Sequence, residues 1–325
     1  MFSRQSLVGF FAGLFLSTSA LSVSAEPLKI GYSDWPGWVA WEVAIEKDWF
    51  AEEGVDVQFE WFDYVASMDA FAAGQLDAVG MTNGDALVTG ATGAQSVMFL
   101  MNDYSNGNDM VIGAPGIDSI KDLKGKKVGV EVGFVSHLLL LNALKDNGMS
   151  ESDVTLVNVP TNETPQVLAS GQVDAIVAWQ PSSGSALDLV PGSKAIYTSA
   201  DEPGLIYDML CVSPSSYSAA RAKWEKVAKV WYKVVDYVND PKTKADAIKI
   251  MASRVGLSPE KYGKFVEGTK ILTLEEAKKH FKKGDGFSSI YGSTKLSDDF
   301  NVANKVYADP QKIDSYIDAS LTQGL

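Results

Sequence analysis

The sequence has few of the residues on which common catalytic and metal sites depend. Its 325 residues include one cysteine, Cys211, and only two histidines, His137 and His280. A single cysteine excludes an intramolecular disulfide and a cysteine-rich metal cluster, and neither histidine has a partner at metal-ligand spacing. We therefore expect no metal, no cofactor and no catalytic residues, and we interpret Cys211 as a small buried hydrophobe.

Positive charge is also scarce. The chain has 28 Lys and Arg residues against 41 Asp and Glu residues, a formal net charge of −13. Such a chain repels nucleic acid and anionic membrane surfaces, so we expect neither as a partner. An acidic balance also biases a cleft toward cations, although acidity in an exported protein can serve solubility alone.

No segment after the N-terminus is apolar enough to span a membrane. At the N-terminus, Arg4 precedes the apolar stretch 7–16, and small residues follow as far as Ala25. This pattern predicts a cleavable signal peptide over residues 1–25, because a spanning helix needs roughly 20 apolar residues. No cysteine stands at the cleavage site for lipid attachment. We expect a freely diffusing periplasmic monomer without membrane insertion.

Beyond the signal peptide, strand and helix patterns alternate. The segment 28–33 ("LKIGYS") predicts a strand, 38–50 a helix, and 55–62 an alternating strand. This order implies α/β lobes, each a mostly parallel sheet flanked by helices. The chain becomes almost wholly helical after about residue 214, which predicts a helical C-terminal part.

One sequence unit occurs twice. The segment 71–81 ("FAAGQLDAVGM") is echoed by 168–179 ("LASGQVDAIVAW"), a helix end, a Gly-Gln-x-Asp-Ala turn and a buried strand. The spacing is too long for a solenoid and predicts two similar lobes. We predict lobe 1 over 26–112 and 213–325, with lobe 2 inserted over 113–212. Two crossings between lobes form a hinge beside a cleft.

These segments resemble type II periplasmic solute-binding proteins of ABC importers, in the group for nitrate, sulfonate, taurine and thiamine precursors. The matching pieces cover most of residues 28–215 and include "KIGYSDWPGW", "DLKGKKVGV", "GQVDAIVAWQP" and "YDMLCVS". The resemblance implies a two-lobe fold that captures a small molecule and delivers it to a membrane permease. A narrower likeness is to binding proteins of guanidine and urea-carboxylase systems, which implies nitrogen uptake.

The same fold occurs in thiamine-pyrimidine synthases, which raises an enzyme as another class of function. That relationship uses a cofactor-linked lysine or histidine and a cysteine-rich segment. The lone cysteine and the absence of lysine from the predicted cleft argue against it, so we expect no enzymatic activity.

Residues that follow the predicted strands are rich in indoles and carboxylates, and these segments contain no lysine or arginine. Ligands of open α/β sheets bind beyond the carboxyl ends of the strands, so we expect these side chains to line one crevice. The candidate ligand-binding residues are Asp34, Trp35, Trp38, Trp61, Asp63, Asn83, Asp85, Glu131, Trp179 and Asp208. Structural alternatives stay open for five of them: Asp85 as a helix cap, Asp208 and Glu131 as structural carboxylates, and Trp61 as a packing residue with Asp63 beside it.

Aromatic walls and carboxylates favour a small nitrogenous organic cation such as guanidine. Cation–π contact offers about 0.5–2 kcal/mol per ring, and a charge-assisted hydrogen bond adds roughly 1.5–3 kcal/mol. The alternative ligand is an anion or zwitterion such as an alkyl sulfonate, taurine or nitrate, bound at helix starts near Asp85 and Phe134. A thiamine pyrimidine precursor is a further alternative.

Overall fold

The computed structural model describes residues 26–325, so the predicted signal peptide lies outside the described residues. The strands are β1 (Leu28–Tyr32), β2 (Val57–Trp61), β3 (Ala78–Thr82), β4 (Val97–Ser105), β5 (Met110–Gly113), β6 (Lys127–Val130), β7 (Thr155–Asn158), β8 (Ala175–Ala178), β9 (Lys194–Thr198), β10 (Tyr207–Val212) and β11 (Thr269–Ile271). The helices are α1 (Pro36–Val39), α2 (Trp41–Glu46), α3 (Trp49–Glu53), α4 (Tyr64–Ala72), α5 (Asn83–Ala91), α6 (Val135–Asp146), α7 (Thr164–Ala169), α8 (Ser182–Leu189), α9 (Pro214–Ala219), α10 (Arg221–Asn239), α11 (Lys244–Arg254), α12 (Pro259–Glu267), α13 (Leu274–His280), α14 (Ile290–Ala303) and α15 (Ser320–Gly324).

The strands form two separate mixed sheets, which confirms the predicted α/β fold. The first sheet has the order β11-β4-β10-β3-β1-β2 and the second has the order β7-β6-β8-β5-β9. Parallel pairing joins β1 to β2 and β3, and joins β6 to β7 and β8. In both sheets, therefore, three parallel strands direct their carboxyl ends toward one edge.

The predicted lobe boundaries need correction on both sides. We placed 110–112 in lobe 1 and 207–212 in lobe 2, but β5 pairs with β8 and β9, whereas β10 pairs with β3 and β4. The chain thus crosses between the sheets over 106–109 and returns over 199–206. Both boundary segments are apolar and flanked by turn residues, so a buried strand and an extended hinge look alike in sequence.

The repeated sequence unit serves the same structural purpose in each sheet. The Asp77 backbone N–H donates to the Lys29 carbonyl, and the Asp77 carboxylate accepts the Lys29 N–H at 2.9 Å. Asp174 does the same with Lys127, whose N–H its carboxylate accepts at 2.9 Å. Each aspartate therefore joins the start of its own strand to the start of the neighbouring parallel strand. This correspondence explains why the Gly-Gln-x-Asp-Ala turn occurs twice.

The predicted continuous helix over 38–50 is divided into three short helices. Pro36 begins α1, where its fixed φ suits the first helical position, and Asp48 adopts a left-handed φ of 56° between α2 and α3. On α10, Trp224 and Trp231 are fully buried, and Trp231 packs against Trp41 with ring centroids 4.6 Å apart. The C-terminal helices thus complete the core beside the first sheet.

Residues 26–325 include no helix that is both long and apolar enough to cross a bilayer. Within the same range, no group of three or more His, Cys, Asp and Glu side chains is arranged to hold a metal ion.

Because the two turns are equivalent, we expect a side chain at either helix end to lower the stability of the protein by the same amount. Gly74 and Gly171 both have φ near +72°, a conformation that costs an L-residue roughly 1–2 kcal/mol. We expect Gly74→Ala and Gly171→Ala each to lower the free energy of unfolding in urea by about 1 kcal/mol. Gly263→Ala is the control, because Gly263 lies inside α12 with space for a methyl group. A loss in only one of the two turn variants would contradict the equivalence, and no loss in either relative to Gly263→Ala would contradict the need for glycine.

Candidate ligand-binding site

Two adjoining cavities lie where the carboxyl ends of the strands of both sheets face each other. The outer cavity has a volume of about 380 Å³, and the inner chamber has a volume of about 10 Å³. The outer cavity is lined by Asp34, Asp63, Tyr64, Val65, Ala66, Glu131, Val132, Phe134, Asn158, Pro160, Thr161, Asn162, Glu163, Trp179 and Ser182. The inner chamber is lined by Trp35, Trp38, Tyr64, Thr82, Asp109, Val135, Trp179, Ile206 and Asp208.

The loop after β1 supplies the first wall of the inner chamber. Trp35 precedes α1, and its indole Nε1–H donates to Asp103 Oδ1 at 3.0 Å. Gly37 packs directly on the Asp103 carboxylate, with which a Cβ at this position would collide. The glycine is therefore required for close approach of the loop to a buried acid, and the sequence "SDWPGW" turns at this point for that reason.

Three aromatic rings form a continuous wall that joins the two sheets. Trp38 stacks on Tyr64 with centroids 5.4 Å apart and planes 21° apart. Tyr64 in turn meets Trp179, which follows β8 of the second sheet, edge-to-face at 5.2 Å. Gly80 on β3 leaves space for the Trp38 indole, because a Cβ there would lie about 3 Å from the ring. Such pairs are worth about 0.5–1.5 kcal/mol each.

Asp85 holds this aromatic wall in place. Its carboxylate accepts the Tyr64 hydroxyl at 2.6 Å, and its backbone N–H donates to Thr82 Oγ1 at 3.0 Å. Burial raises the pKa of Asp85 to about 6, although Tyr64, Thr82 and the nearby Val135 N–H at the start of α6 oppose that rise. Asp85 lines neither cavity, so it positions Tyr64 instead of facing a ligand directly.

A pair of buried carboxylates lies beside the inner chamber, and of the two only Asp208 lines it. Asp103 on β4 stands directly opposite Asp208 on β10, and both side chains are almost completely buried. Burial raises the pKa of Asp103 to about 7. Burial and repulsion from Asp103 and Asp109 raise the pKa of Asp208 well above its ordinary value. Two neighbouring carboxylates that are both buried do not both ionise unless a cation lies beside them.

The outer cavity adds further acids. Burial raises the pKa of Asp34 to about 6, while the adjacent Trp179 indole acts in the opposite direction. Burial also raises the pKa of Glu131 to about 7, although Thr161 donates its hydroxyl to Glu131 Oε2 at 3.2 Å. Asp63 lies exposed at the start of α4 and lines the same cavity. No lysine or arginine of residues 26–325 lines either cavity.

Asn83 is placed elsewhere than predicted. Its amide Nδ2 donates to the hydroxyls of Ser293 and Thr294, and its Oδ1 accepts the Tyr207 N–H at 3.1 Å. The side chain therefore joins α5 to α14 and β10, and none of its hydrogen-bonding capacity is directed to a cavity. These hydrogen bonds within the protein contradict the prediction that Asn83 contacts the ligand.

Trp61 also lies away from both cavities. It is 38% exposed on β2, where its ring packs against the Arg254 guanidinium at 4.4 Å and meets Tyr32 edge-to-face. Successive side chains of a strand point to opposite faces, and Trp61 points to the face that Arg254 covers. The packing alternative describes this residue better than the binding prediction.

Of the remaining eight candidates, seven line the cavities and Asp85 positions Tyr64, but sequence reasoning missed two buried acids, Asp109 on the lining of the inner chamber and Asp103 beside it. Asp103 ends an apolar run on β4, and Asp109 lies on the first crossing between the sheets. Burial raises the pKa of Asp109 to about 7. A signal for Asp103 was available, since an acid inside a buried strand is rarely found without a partner. Tyr64, also absent from the prediction, lines both cavities.

The chain belongs to the NMT1/THI5-like family, whose model matches residues 35–243. Among curated relatives, a "Putative binding protein" of Brucella abortus (strain 2308) is 31% identical over 200 residues, which cover 61% of each chain. The taurine-binding periplasmic protein of Escherichia coli (strain K12) is 26% identical over 190 residues, 55% of this chain and 54% of that one. This chain thus matches less than two thirds of the length of these relatives.

A solved structure shows the same fold over most of the chain. The alkanesulfonate-binding protein SsuA from Xanthomonas axonopodis pv. citri, bound to MOPS, superposes with a TM-score of 0.70 at 19% identity. The superposition covers 91% of this chain and 100% of that one. At this identity the likeness shows the fold alone, and it agrees with the predicted two-lobe binding-protein architecture.

The buried acid pair predicts that the folded protein becomes less stable as the pH rises. Groups whose pKa is raised by folding stabilise the folded state when protonated, and that stability is lost as the pH rises from about 4 through about 7. We expect Asp208→Asn to be more stable than the wild type at pH 8 by at least about 1.4 kcal/mol, one pKa unit, and nearly equal at about pH 4, the ordinary pKa of an aspartate. Urea unfolding at both pH values measures this; an equal loss in both proteins would contradict it.

Proposed function

We propose that this protein is the solute-binding component of an importer in the periplasm, and that it performs no chemistry itself. Its family, its two-sheet fold and the binding-protein names of its relatives support this function. The cavity between the sheets has the volume and the mixed aromatic and polar lining typical of a small-molecule site. A membrane permease would be the partner that receives the solute.

The relatives favour the alternative ligand class over guanidine. Their names specify taurine and alkanesulfonates, and the narrower likeness to guanidine systems has no support among them. The acids of the cavities, however, disfavour a ligand that carries only negative charge. Two like charges 4 Å apart repel by about 4 kcal/mol at an effective dielectric constant of 20, and no basic side chain offsets that repulsion here.

We therefore propose a zwitterion of the taurine type as the first candidate ligand. Its ammonium group would be held by the carboxylates of Asp34, Asp109 and Asp208. Its sulfonate would meet the first turn of α4, where Val65 and Ala66 line the outer cavity and Asp63 provides no side-chain cap. Helix N-termini stabilise anions through free N–H groups and the helix dipole. The absence of any basic group from the cavity lining carries this proposal.

A guanidine-like cation is the second candidate. The observation that favours it is the stacked pair of Trp38 and Tyr64 beside the buried acids, because a flat cation gains both cation–π contact and charge-assisted hydrogen bonds there. This candidate makes no use of the α4 N-terminus.

A comparison of taurine with ethanesulfonate tests the proposal, because the two differ only in the ammonium group. We expect isothermal titration calorimetry at pH 8 to show taurine binding at least about tenfold more tightly than ethanesulfonate, since a charge-assisted hydrogen bond is worth roughly 1.5–3 kcal/mol. Guanidinium, nitrate and an aminopyrimidine complete the panel. Tight binding of ethanesulfonate or nitrate alone would contradict the requirement for a cationic nitrogen, and guanidinium binding without taurine binding would select the second candidate.

A variant of the aromatic wall tests whether the ligand binds in these cavities. Trp179→Ala removes the ring that Tyr64 contacts across the cleft, and we expect it to weaken binding of the preferred probe at least about tenfold. Trp61→Ala is the matched control, because Trp61 is an exposed indole outside both cavities. A loss of binding in the control equal to that in Trp179→Ala would place the ligand elsewhere.

A further inference from the structure

Two buried carboxylate oxygens have no hydrogen-bond donor within the described part of the chain, one on Asp208, which lines the inner chamber, and one on its cross-strand partner Asp103. Asp103 Oδ2 and Asp208 Oδ2 are buried and accept no hydrogen bond from any donor among residues 26–325, although Asp208 lines the chamber directly. The other oxygen of Asp103 accepts the Trp35 indole. Three kinds of donor can satisfy these two oxygens: one proton shared between the carboxylates, a buried water, or the N–H groups of a cation inside the chamber.

The surroundings of the pair supply no alternative positive charge. The ionisable groups closest to it are Asp109 on the first crossing, Asp85 on α5, Asp34 after β1, Tyr262 on α12, and Tyr104 and Tyr207 on the same two strands. The neighbouring strand β11 carries Lys270, which is opposite Tyr104 and pairs with Glu276 at 2.8 Å. The acids around the pair all have the same sign of charge and increase its need for a proton or a cation.

The volume of the inner chamber limits what can occupy it. About 10 Å³ is close to the space that one water-sized group requires. An ammonium group has that size, whereas the flat body of guanidinium would require the walls to separate. The rings of Trp35, Trp38, Tyr64 and Trp179 enclose the space, so a cation there would be surrounded by aromatic surface and by the Asp109 and Asp208 carboxylates.

We propose that the inner chamber binds the ammonium group of the solute, and that binding displaces one proton shared by Asp103 and Asp208. The proton leaves to solvent as the ammonium N–H groups replace it as donors. The charge of the chamber is the same before and after, because one positive charge replaces another. This inference rests on the proposed function, since it requires a solute with a protonated nitrogen, and it goes further in naming the subsite and the exchange.

Calorimetry in two buffers counts the displaced protons. Taurine is titrated into the wild-type protein at pH 6.5 in phosphate and in a buffer with a larger ionisation enthalpy, and the difference in heat gives the number of protons released. We expect about one proton per taurine, and a loss of affinity of about tenfold or more between pH 8 and pH 5.5. An anion-driven site would instead take up protons and bind more tightly at low pH.

The Asp103→Asn variant tests whether the released proton is the one that Asp103 and Asp208 share. The amide keeps Oδ1 for the Trp35 indole, and its Nδ2–H can donate permanently to Asp208, so no proton needs to be shared. We expect this variant to bind taurine at pH 8 within about tenfold of the wild type, to release clearly fewer protons than the wild type, the remainder coming from Asp109, and to lose less affinity than the wild type at pH 5.5. Trp61→Ala is the control and should release protons as the wild type does.

The outcomes separate the two proposals. If neither taurine nor guanidinium binds the wild type at any pH, the proposed function fails. If taurine binds with a flat pH profile and no buffer dependence, or if Asp103→Asn still releases a full proton, the solute-binding function stands and the proton exchange is wrong. Should Asp103→Asn not fold, the two-buffer measurement on the wild-type protein decides alone.

Discussion

Burial of several carboxylates without a basic partner is the constraint on which the site depends. Asp103, Asp109 and Asp208 lie together under aromatic rings, where ionisation is costly because water is excluded and neighbouring charges repel. A folded protein tolerates such a cluster only with protons or with a bound cation. The same arrangement is the basis of the predicted loss of stability at alkaline pH and of the proposed preference for a cationic nitrogen.

The rest of the fold brings these acids together. Equivalent aspartates, Asp77 and Asp174, join the starts of parallel strands within each sheet, and residues after the carboxyl ends of strands from both sheets line the cavities. The two crossings are linked to each other, since Ser105 and Ser199 share a hydrogen bond of 2.6 Å. Asp109 lies on the first crossing and Asp208 on the strand after the second, so two of the acids belong to the connection between the sheets.

Likeness to known proteins and the chemistry of the site contribute different information. The family and the solved structure describe the scaffold, and the relatives' names direct attention to sulfonates and taurine. Ligand choice depends on a few side chains at the strand ends, and at 19–31% identity these side chains are free to differ. A taurine-like zwitterion satisfies both lines of evidence, because it has an anionic group for a helix N-terminus and an ammonium group for the acids.

The sequence by itself determined the α/β class, the repeated unit and seven of the ten candidates, which line the cavities. These features are local: strand periodicity, a glycine helix end and the position of a residue just after a strand. It could not exclude Asn83 or Trp61, because the contacts that remove them come from α14 and Arg254, more than 190 positions away in the chain. The pairing of Asp103 with Asp208 was likewise decided only by tertiary structure, since antiparallel register between distant strands brings the two carboxylates together.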